Sequence, residues 1–235
     1  MTIASNAHPA GRPSVAACLF VDVDGTLVPG TSTGAFLAER LGHADSFARA
    51  EAAYSTGLID NDEVCTIDAA GWRGRDVATV DAWLSDLQLI DGIAETVAWC
   101  RARAVQPVLA TLAWTAVGSH LARRFGFATW CGPRLETDRG RYTGRVEQTF
   151  DEFAKRDFAV ATAARLGVSL SSCAAVGDSR SDLPLFSQVG LSIAFNGTAE
   201  AKRTATIAVD GSDLTMTLRV LDAWITSRNA TEEGR

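Results

Sequence analysis

An apolar run from Val15 to Val21 ends abruptly in Asp22-Val-Asp24-Gly-Thr-Leu-Val28. A short apolar stretch rich in β-branched residues reads as a strand buried on both faces, the kind found in a parallel sheet covered by helices. Side chains two apart on a strand point the same way, so Asp22 and Asp24 are expected together at the strand's carboxyl end. Two carboxylates side by side repel, and each pushes the other's pKa up. A chain tolerates that when a metal cation neutralises the pair or when one carboxyl carries a proton. Both alternatives are chemistry, not scaffolding.

The rest of the chain alternates strands with helices. The pattern predicts strands over Pro107–Thr111, Ala128–Cys131, Cys173–Val176, Leu191–Ala194 and Thr206–Val209, and helices over Ile93–Ala104, Thr115–Phe125, Phe153–Leu166, Ala199–Thr204 and Leu214–Thr226. Gly126 and Gly167 stand where helices end. Turn signals at Asp138-Arg-Gly140 and Gly144 predict a β-hairpin within Leu135–Val146. Alternation of this kind implies an α/β fold, a Rossmann-like parallel sheet sandwiched by helices. Between the first and second core strands lies an all-helical block, with helices expected over Gly34–Leu41, Ser46–Tyr54, Asn61–Ala70 and Val77–Leu87. The expected organisation is a core of residues 15–30 and 90–228, an inserted helical cap of 31–89, and loose tails at 1–14 and 229–235.

A formal net charge of −6 argues against a nucleic-acid partner, which needs a basic face. No apolar stretch reaches the length of a membrane span, and residues 1–13 lack the apolar centre of a signal peptide. The five cysteines are odd in number, scattered and free of any Cys-x-x-Cys pair, which fits reduced core residues of a cytoplasmic protein. Such a chain is expected as a monomer or homodimer.

Ligands bind at the carboxyl ends of parallel strands, and four features converge there. They are Asp22 with Asp24, Thr111 closing an apolar strand, Lys155 at the start of a helix, and Gly177-Asp178-Ser-Arg-Ser181-Asp182 after another strand. An EF-hand is excluded, because Thr26 and Leu27 stand where that loop needs an oxygen ligand and a glycine. A serine hydrolase is excluded too, since there is no Gly-x-Ser-x-Gly elbow and His8, His43 and His120 all precede Ser179. No His/Cys spacing supports zinc. Acids from two strand ends, a hydroxyl and a lysine suit magnesium-assisted phosphoryl transfer to a carboxylate. In that chemistry one aspartate attacks phosphorus, Asp24 moves protons, and Thr111 and Lys155 hold the transferred oxygens.

These motifs, in this order, resemble the haloacid dehalogenase superfamily of hydrolases and its phosphoserine phosphatase-like group. They are Asp22-Val-Asp24-Gly-Thr-Leu-Val, Val-Leu-Ala-Thr111, Lys155, and Val-Gly-Asp178-Ser-Arg-Ser-Asp182-Leu-Pro. The segments Arg134-Leu-Glu136, Tyr142-Thr-Gly-Arg-Val146 and Ile193-Ala-Phe-Asn196 are similar as well. The resemblance implies Asp22 as nucleophile, Asp24 as general acid and base, and Mg²⁺ held by Asp22, Asp178 and the Asp24 carbonyl. It implies phosphate bound by Thr111, Leu112 and Lys155, with Asp182 and Ser181 in support. Three positions depart from the group: Thr31 stands where a glutamate reads the substrate ammonium, Thr111-Leu112-Ala113 replaces Ser-Gly-Gly, and Ser181 replaces an asparagine.

The expected activity is hydrolysis of a small phosphorylated metabolite through an aspartyl-phosphate. Phosphoserine itself is disfavoured as the substrate by Thr31. The rivals are a phosphotransferase or mutase on the same scaffold and a noncatalytic phospholigand-binding module. Candidate specificity residues are Thr31, Trp114 beside Thr111, and Arg73 and Arg75. These two arginines sit in a break between cap helices and read either as a grip on a second anionic group or as solvated loop charges.

Overall fold

The computed structural model describes residues 15–233, with side chains through Arg228; the expected tail at 1–14 lies outside the described residues. In chain order the elements are β1 (Ala17–Val21), α1 (Thr33–Leu41), α2 (Ala44–Ser55), α3 (Asn61–Gly71), α4 (Val77–Trp83), α5 (Ile93–Ala102) and β2 (Val105–Leu109). Then come α6 (Thr115–Phe125), β3 (Thr129–Trp130), β4 (Arg134–Asp138), β5 (Arg141–Gln148), α7 (Glu152–Leu166) and β6 (Ala174–Gly177). The chain finishes with α8 (Leu183–Phe186), β7 (Leu191–Phe195), α9 (Ala199–Thr204), β8 (Ile207–Val209) and α10 (Leu218–Glu233).

Six strands form one parallel sheet in the order β3-β2-β1-β6-β7-β8. Each residue of β1 and of β7 is buried. That burial explains the near-continuous apolar runs in the sequence, since both faces of a central parallel strand meet helices. The strand order places β1 beside β6, so the loops after Val21 and after Gly177 emerge next to each other.

The helical block α1–α4 stands over that edge. Its local signals are strong: Ser32 caps α1, and Asp60 with Glu63 forms a reciprocal capping box at α3. The two ends of the block meet where the Ile90 N–H donates to the Leu27 carbonyl (2.9 Å). A second attachment joins the cap to the β4-β5 hairpin. The Gly74 and Val77 N–H groups donate to the Tyr142 and Gly140 carbonyls, and the Tyr142 N–H donates back to Arg75 (2.8–2.9 Å). Trp72 of the cap, Trp114 of the core and Tyr142 of the hairpin meet edge-to-face, with centroids 6.1 and 4.9 Å from Trp72. Truncating such a fully buried ring costs about 3–5 kcal/mol, so this joint fixes how the cap sits over Trp114.

Several element boundaries shift by a few residues, and two of the shifts bear on the site and on the expected tail. β2 is Val105–Leu109, so Thr111 lies two residues beyond the strand and not at its last position. Residues 229–233, expected as tail, continue α10 as helix, because the helix is already nucleated on the buried Leu221 and its neighbours. Among the described residues, no helix is long and apolar enough to cross a membrane.

Candidate active site

Asp22 is the first residue after β1; its N–H donates to the Val176 carbonyl (2.9 Å), which extends the sheet pairing by one step. The chain then turns sharply, with the Leu27 and Val28 N–H groups both donating to the Val23 carbonyl. Gly25 occupies this turn at φ +80°, and a Cβ there would lie 2.2 Å from the Asp178 Oδ2. Only glycine satisfies both the left-handed backbone and that close approach.

Asp22 and Asp24 line one cavity, but their carboxyls have different partners. Asp24 turns away to the start of α1, where Oδ1 accepts from the Thr33 N–H (2.6 Å) and Oδ2 from the Thr33 hydroxyl (3.1 Å). A helix N-terminus offers free N–H groups and a positive end of the dipole, and this attracts the carboxylate more than its neighbour repels it. Burial raises the Asp24 pKa, and the Thr33 hydrogen bonds oppose that rise.

Asp22 meets a different set of charges. Lys155, in the first turn of α7, is fully buried and donates to Asp22 Oδ1 (2.8 Å) and to Asp182 Oδ1 (2.6 Å). Burial drives the Asp22 carboxyl well above its ordinary value; Lys155 pulls it down, and Asp182 and Asp178 push it up. The Lys155 ammonium stays charged, since its two carboxylate partners outweigh the desolvation that opposes them. Lys155 was expected to face the transferred phosphate; instead two of its donors are committed to aspartates, which leaves one.

Asp182 is fully engaged. Its Oδ2 accepts from the N–H groups of Asp178 (3.0 Å) and Ser179 (3.1 Å), so it shapes the loop that presents Asp178. Asp178 Oδ1, by contrast, is buried with no hydrogen-bond partner among the described residues. A carboxylate orphaned in this way is costly unless something cationic reaches it. Burial, then Asp182, lifts the Asp178 pKa to about 7. Oxygens of Asp22, Asp178 and Asp182 all lie within 4.8 Å of one another. This cluster could hold a metal ion, and with Asp182 already spent, Asp22 and Asp178 are its free ligands. An all-oxygen donor set selects a hard divalent cation.

These groups floor a cavity of about 310 Å³ over the sheet edge. Asp22, Asp24, Thr111, Leu112, Asp178 and Ser181 line it from the core, and Thr31 and Trp114 line it too. The Thr111 hydroxyl accepts from the Ala113 N–H (3.1 Å), which leaves its own proton for a ligand. Arg73 and Arg75 do not line the cavity. Arg73 packs against Gly144 of β5, and Arg75 donates to the Leu41 carbonyl (3.1 Å). The cap–hairpin pairing turns that segment away from the cavity.

Sequence reasoning missed the cap's contribution: Phe47, Glu51 and Tyr54 from α2, and Asn61 and Asp68 from α3. Asp68 is buried, accepts the Trp114 indole N–H (2.5 Å), and shares its other oxygen with His43 Nε2 (2.6 Å). The Asn61 amide donates to the Phe150 carbonyl (2.7 Å) and ties α3 to the entry of α7. A signal existed. Phe47, Glu51 and Tyr54 are spaced i, i+4, i+7, and Asn61, Val64, Cys65 and Asp68 are spaced i, i+3, i+4, i+7. An acid on an otherwise apolar helical stripe marks a face turned to something polar.

A family model of haloacid dehalogenase-like hydrolases matches residues 19–187, which include each of these acids. The chain belongs to that family. Within the haloacid dehalogenase-like hydrolases it falls in the phosphoserine phosphatase-like group. It is 29% identical over 191 residues to a phosphoserine phosphatase of Streptomyces coelicolor, covering 81% of this chain and 46% of that protein. It is 30% identical over 133 residues to one of Albidiferax ferrireducens, covering 54% and 56%. The chain thus spans about half the length of these two curated relatives. A solved phosphoserine phosphatase, described as a phospho-aspartyl intermediate analogue, has the same fold, with TM-score 0.77 and 22% identity over 87% of this chain and 98% of that one.

Proposed function

We propose that this protein is a Mg²⁺-dependent phosphatase that hydrolyses a small phosphomonoester through a phosphorylated Asp22. The observation that carries the reading is the arrangement at the cavity floor. A buried lysine pins one oxygen of Asp22, and beside it stands a buried Asp178 oxygen that has no hydrogen-bond partner among the described residues.

Mg²⁺, held by Asp22 and Asp178, would supply the positive charge that lets an anionic carboxylate approach an anionic phosphate. The protein's own residues do the rest. Asp22 Oδ1 is fixed by Lys155, while among the described residues no hydrogen bond reaches Oδ2. Oδ2 is therefore the attacking atom: it bonds to phosphorus as the ester P–O bond breaks. Asp24, whose pKa burial raises, is aimed by Thr33 and gives a proton to the departing alkoxide. The resulting Asp24 carboxylate then takes a proton from water, which attacks phosphorus and returns Asp22. Thr111 and the third Lys155 donor bind the transferred oxygens. The cap excludes bulk water from the cavity while this proceeds.

Uncatalysed monoester hydrolysis is among the slowest known reactions, so the scaffold alone supplies little turnover. Release of phosphate from p-nitrophenyl phosphate and a panel of metabolite phosphates should require Mg²⁺ and be abolished in Asp22→Asn. Phosphate trapped on the wild-type protein should map to Asp22. Turnover in Asp22→Asn, or turnover undiminished by a chelator, would reject the reading.

A further inference from the structure

Glu51 is the cavity's unbalanced charge. Its Oε1 accepts from the Ser32 hydroxyl (2.8 Å), while among the described residues no hydrogen bond reaches Oε2 and no lysine, arginine or histidine pairs with it. Every other acid of the cavity has a partner or a task. Asp24 sits on Thr33, Asp68 on Trp114 and His43, and Asp22 and Asp178 floor the phosphate end. Burial raises the Glu51 pKa, the Ser32 hydrogen bond opposes that rise, and Asp24 and Asp68 add to it.

The walls around Glu51 fit that missing charge. Phe47 and Tyr54 flank it one helical turn away on either side, and Trp114 faces them from the core. Aromatic faces attract ammonium groups. Among the described residues no lysine or arginine side chain lines the cavity. Lys155 is buried with its aspartates, and the Arg180 guanidinium is stacked on the Tyr54 ring, 4.3 Å from its centroid. A substrate carboxylate would therefore lie beside Glu51 and Asp68 with no lysine or arginine of the lining to meet it, and like charges in such a site repel strongly.

Resting on the phosphatase reading, we infer that Glu51 is a specificity-determining residue and that the substrate is a phosphorylated amino alcohol, with a cationic amine at the far end from phosphate and no carboxylate. The phosphate docks on the core floor, and the amine docks on Glu51 Oε2 between the rings. The position holding Thr31 has no charge to offer, so the acid that reads the amine comes from α2.

Glu51 also has a structural duty, since Ser32 caps α1. Glu51→Gln separates the two roles: it keeps an acceptor for the Ser32 hydroxyl and removes the charge. The probes are phosphoethanolamine, its uncharged isostere propyl phosphate, phosphoserine, and p-nitrophenyl phosphate as a general ester. Wild-type protein should favour phosphoethanolamine over propyl phosphate, and over phosphoserine, by about tenfold or more in kcat/KM, the scale of a charge-assisted contact. In Glu51→Gln the ratio of phosphoethanolamine to propyl phosphate should fall by about tenfold. The wild-type ratios alone test the substrate class if the variant fails to fold. Equal loss on both esters would assign Glu51 a structural role only and overturn the inference. Faster turnover of phosphoserine, or no preference for the amine in wild type, would overturn it as well. Hydrolysis of p-nitrophenyl phosphate without amine selectivity rejects the inference and leaves the phosphatase reading standing. Silence towards every ester rejects both.

Discussion

Removal of the buried ammonium by Lys155→Met should destabilise the fold by an amount that grows with pH. Lys155 Nζ lies 2.8 Å from Asp22 and 2.6 Å from Asp182, and the side chain is fully buried. Methionine retains most of the stem's volume and flexibility, so the cavity term is small. What remains is the loss of one partner from a buried ion cluster, about 3–5 kcal/mol. A native stability of about 5–15 kcal/mol leaves the variant folded. The pH sign follows from Asp22, whose folded pKa already stands above the ordinary 3.8 because of burial, with Lys155 holding it down. Without Lys155 it rises further, so the folded variant binds a proton that the unfolded chain has released. Stability contributed by such a group is present at low pH and is lost as pH rises above 3.8 through the raised folded value. Urea unfolding followed by tryptophan fluorescence, in a chelator so that no bound cation contributes, should show the full penalty near about pH 8 and a smaller one near about pH 5. A gap below about 1 kcal/mol at the higher pH, or a wider gap at the lower pH, would refute the reasoning.

Trp114→Phe keeps an aromatic ring but trims the buried indole and withdraws its N–H from Asp68, leaving a buried carboxylate oxygen unpaired. Urea unfolding should register a loss of about 1–3 kcal/mol, and no measurable loss would mean that this bond does not hold the cap to the core. Gly25→Ala places a methyl group 2.2 Å from the Asp178 carboxylate on a backbone of φ +80°. Mg²⁺ affinity measured by calorimetry should weaken by about tenfold or more; an unchanged affinity would show that Asp178 is not a ligand. With the Asp178 pKa near about 7, its carboxyl must lose a proton before binding a cation. The rise in melting temperature produced by Mg²⁺ should accordingly increase between about pH 6 and about pH 8, and a flat profile would contradict the assignment.

Much of the architecture is legible locally because its determinants are local. The Thr115–Phe125 and Ala199–Thr204 helices fall where the pattern predicts them, since a glycine stop after Phe125 and the threonine cap at Thr198 act within a few residues. The parallel sheet follows from buried apolar runs that no other architecture hides on both faces. The acids that floor the cavity are legible for a related reason. Asp22 and Asp178 each end such a run, and β1 and β6 are neighbours in the sheet.

Other features depend on distant segments meeting. Asp22 and Asp24 look paired along the chain, yet Asp24 belongs to α1, because the cap's first helix presents its free N–H groups there. Lys155 reads as a phosphate ligand, and only the fold shows that Asp22, 133 positions earlier, and Asp182, 27 positions later, take two of its donors. Arg73 and Arg75 read either as substrate grips or as solvated loop charges, and pairing of the cap with the hairpin turns them aside. Glu51 and Asp68 read as ordinary helix acids until the cap closes them over the cavity. Amino-acid order alone determined the scaffold and the acids that stand at the strand ends, because the apolar pattern and the caps are local signals. Tertiary packing decided the direction in which each charge points and the charge still lacking a partner, because electrostatic neighbours in a folded chain are set by space and not by spacing.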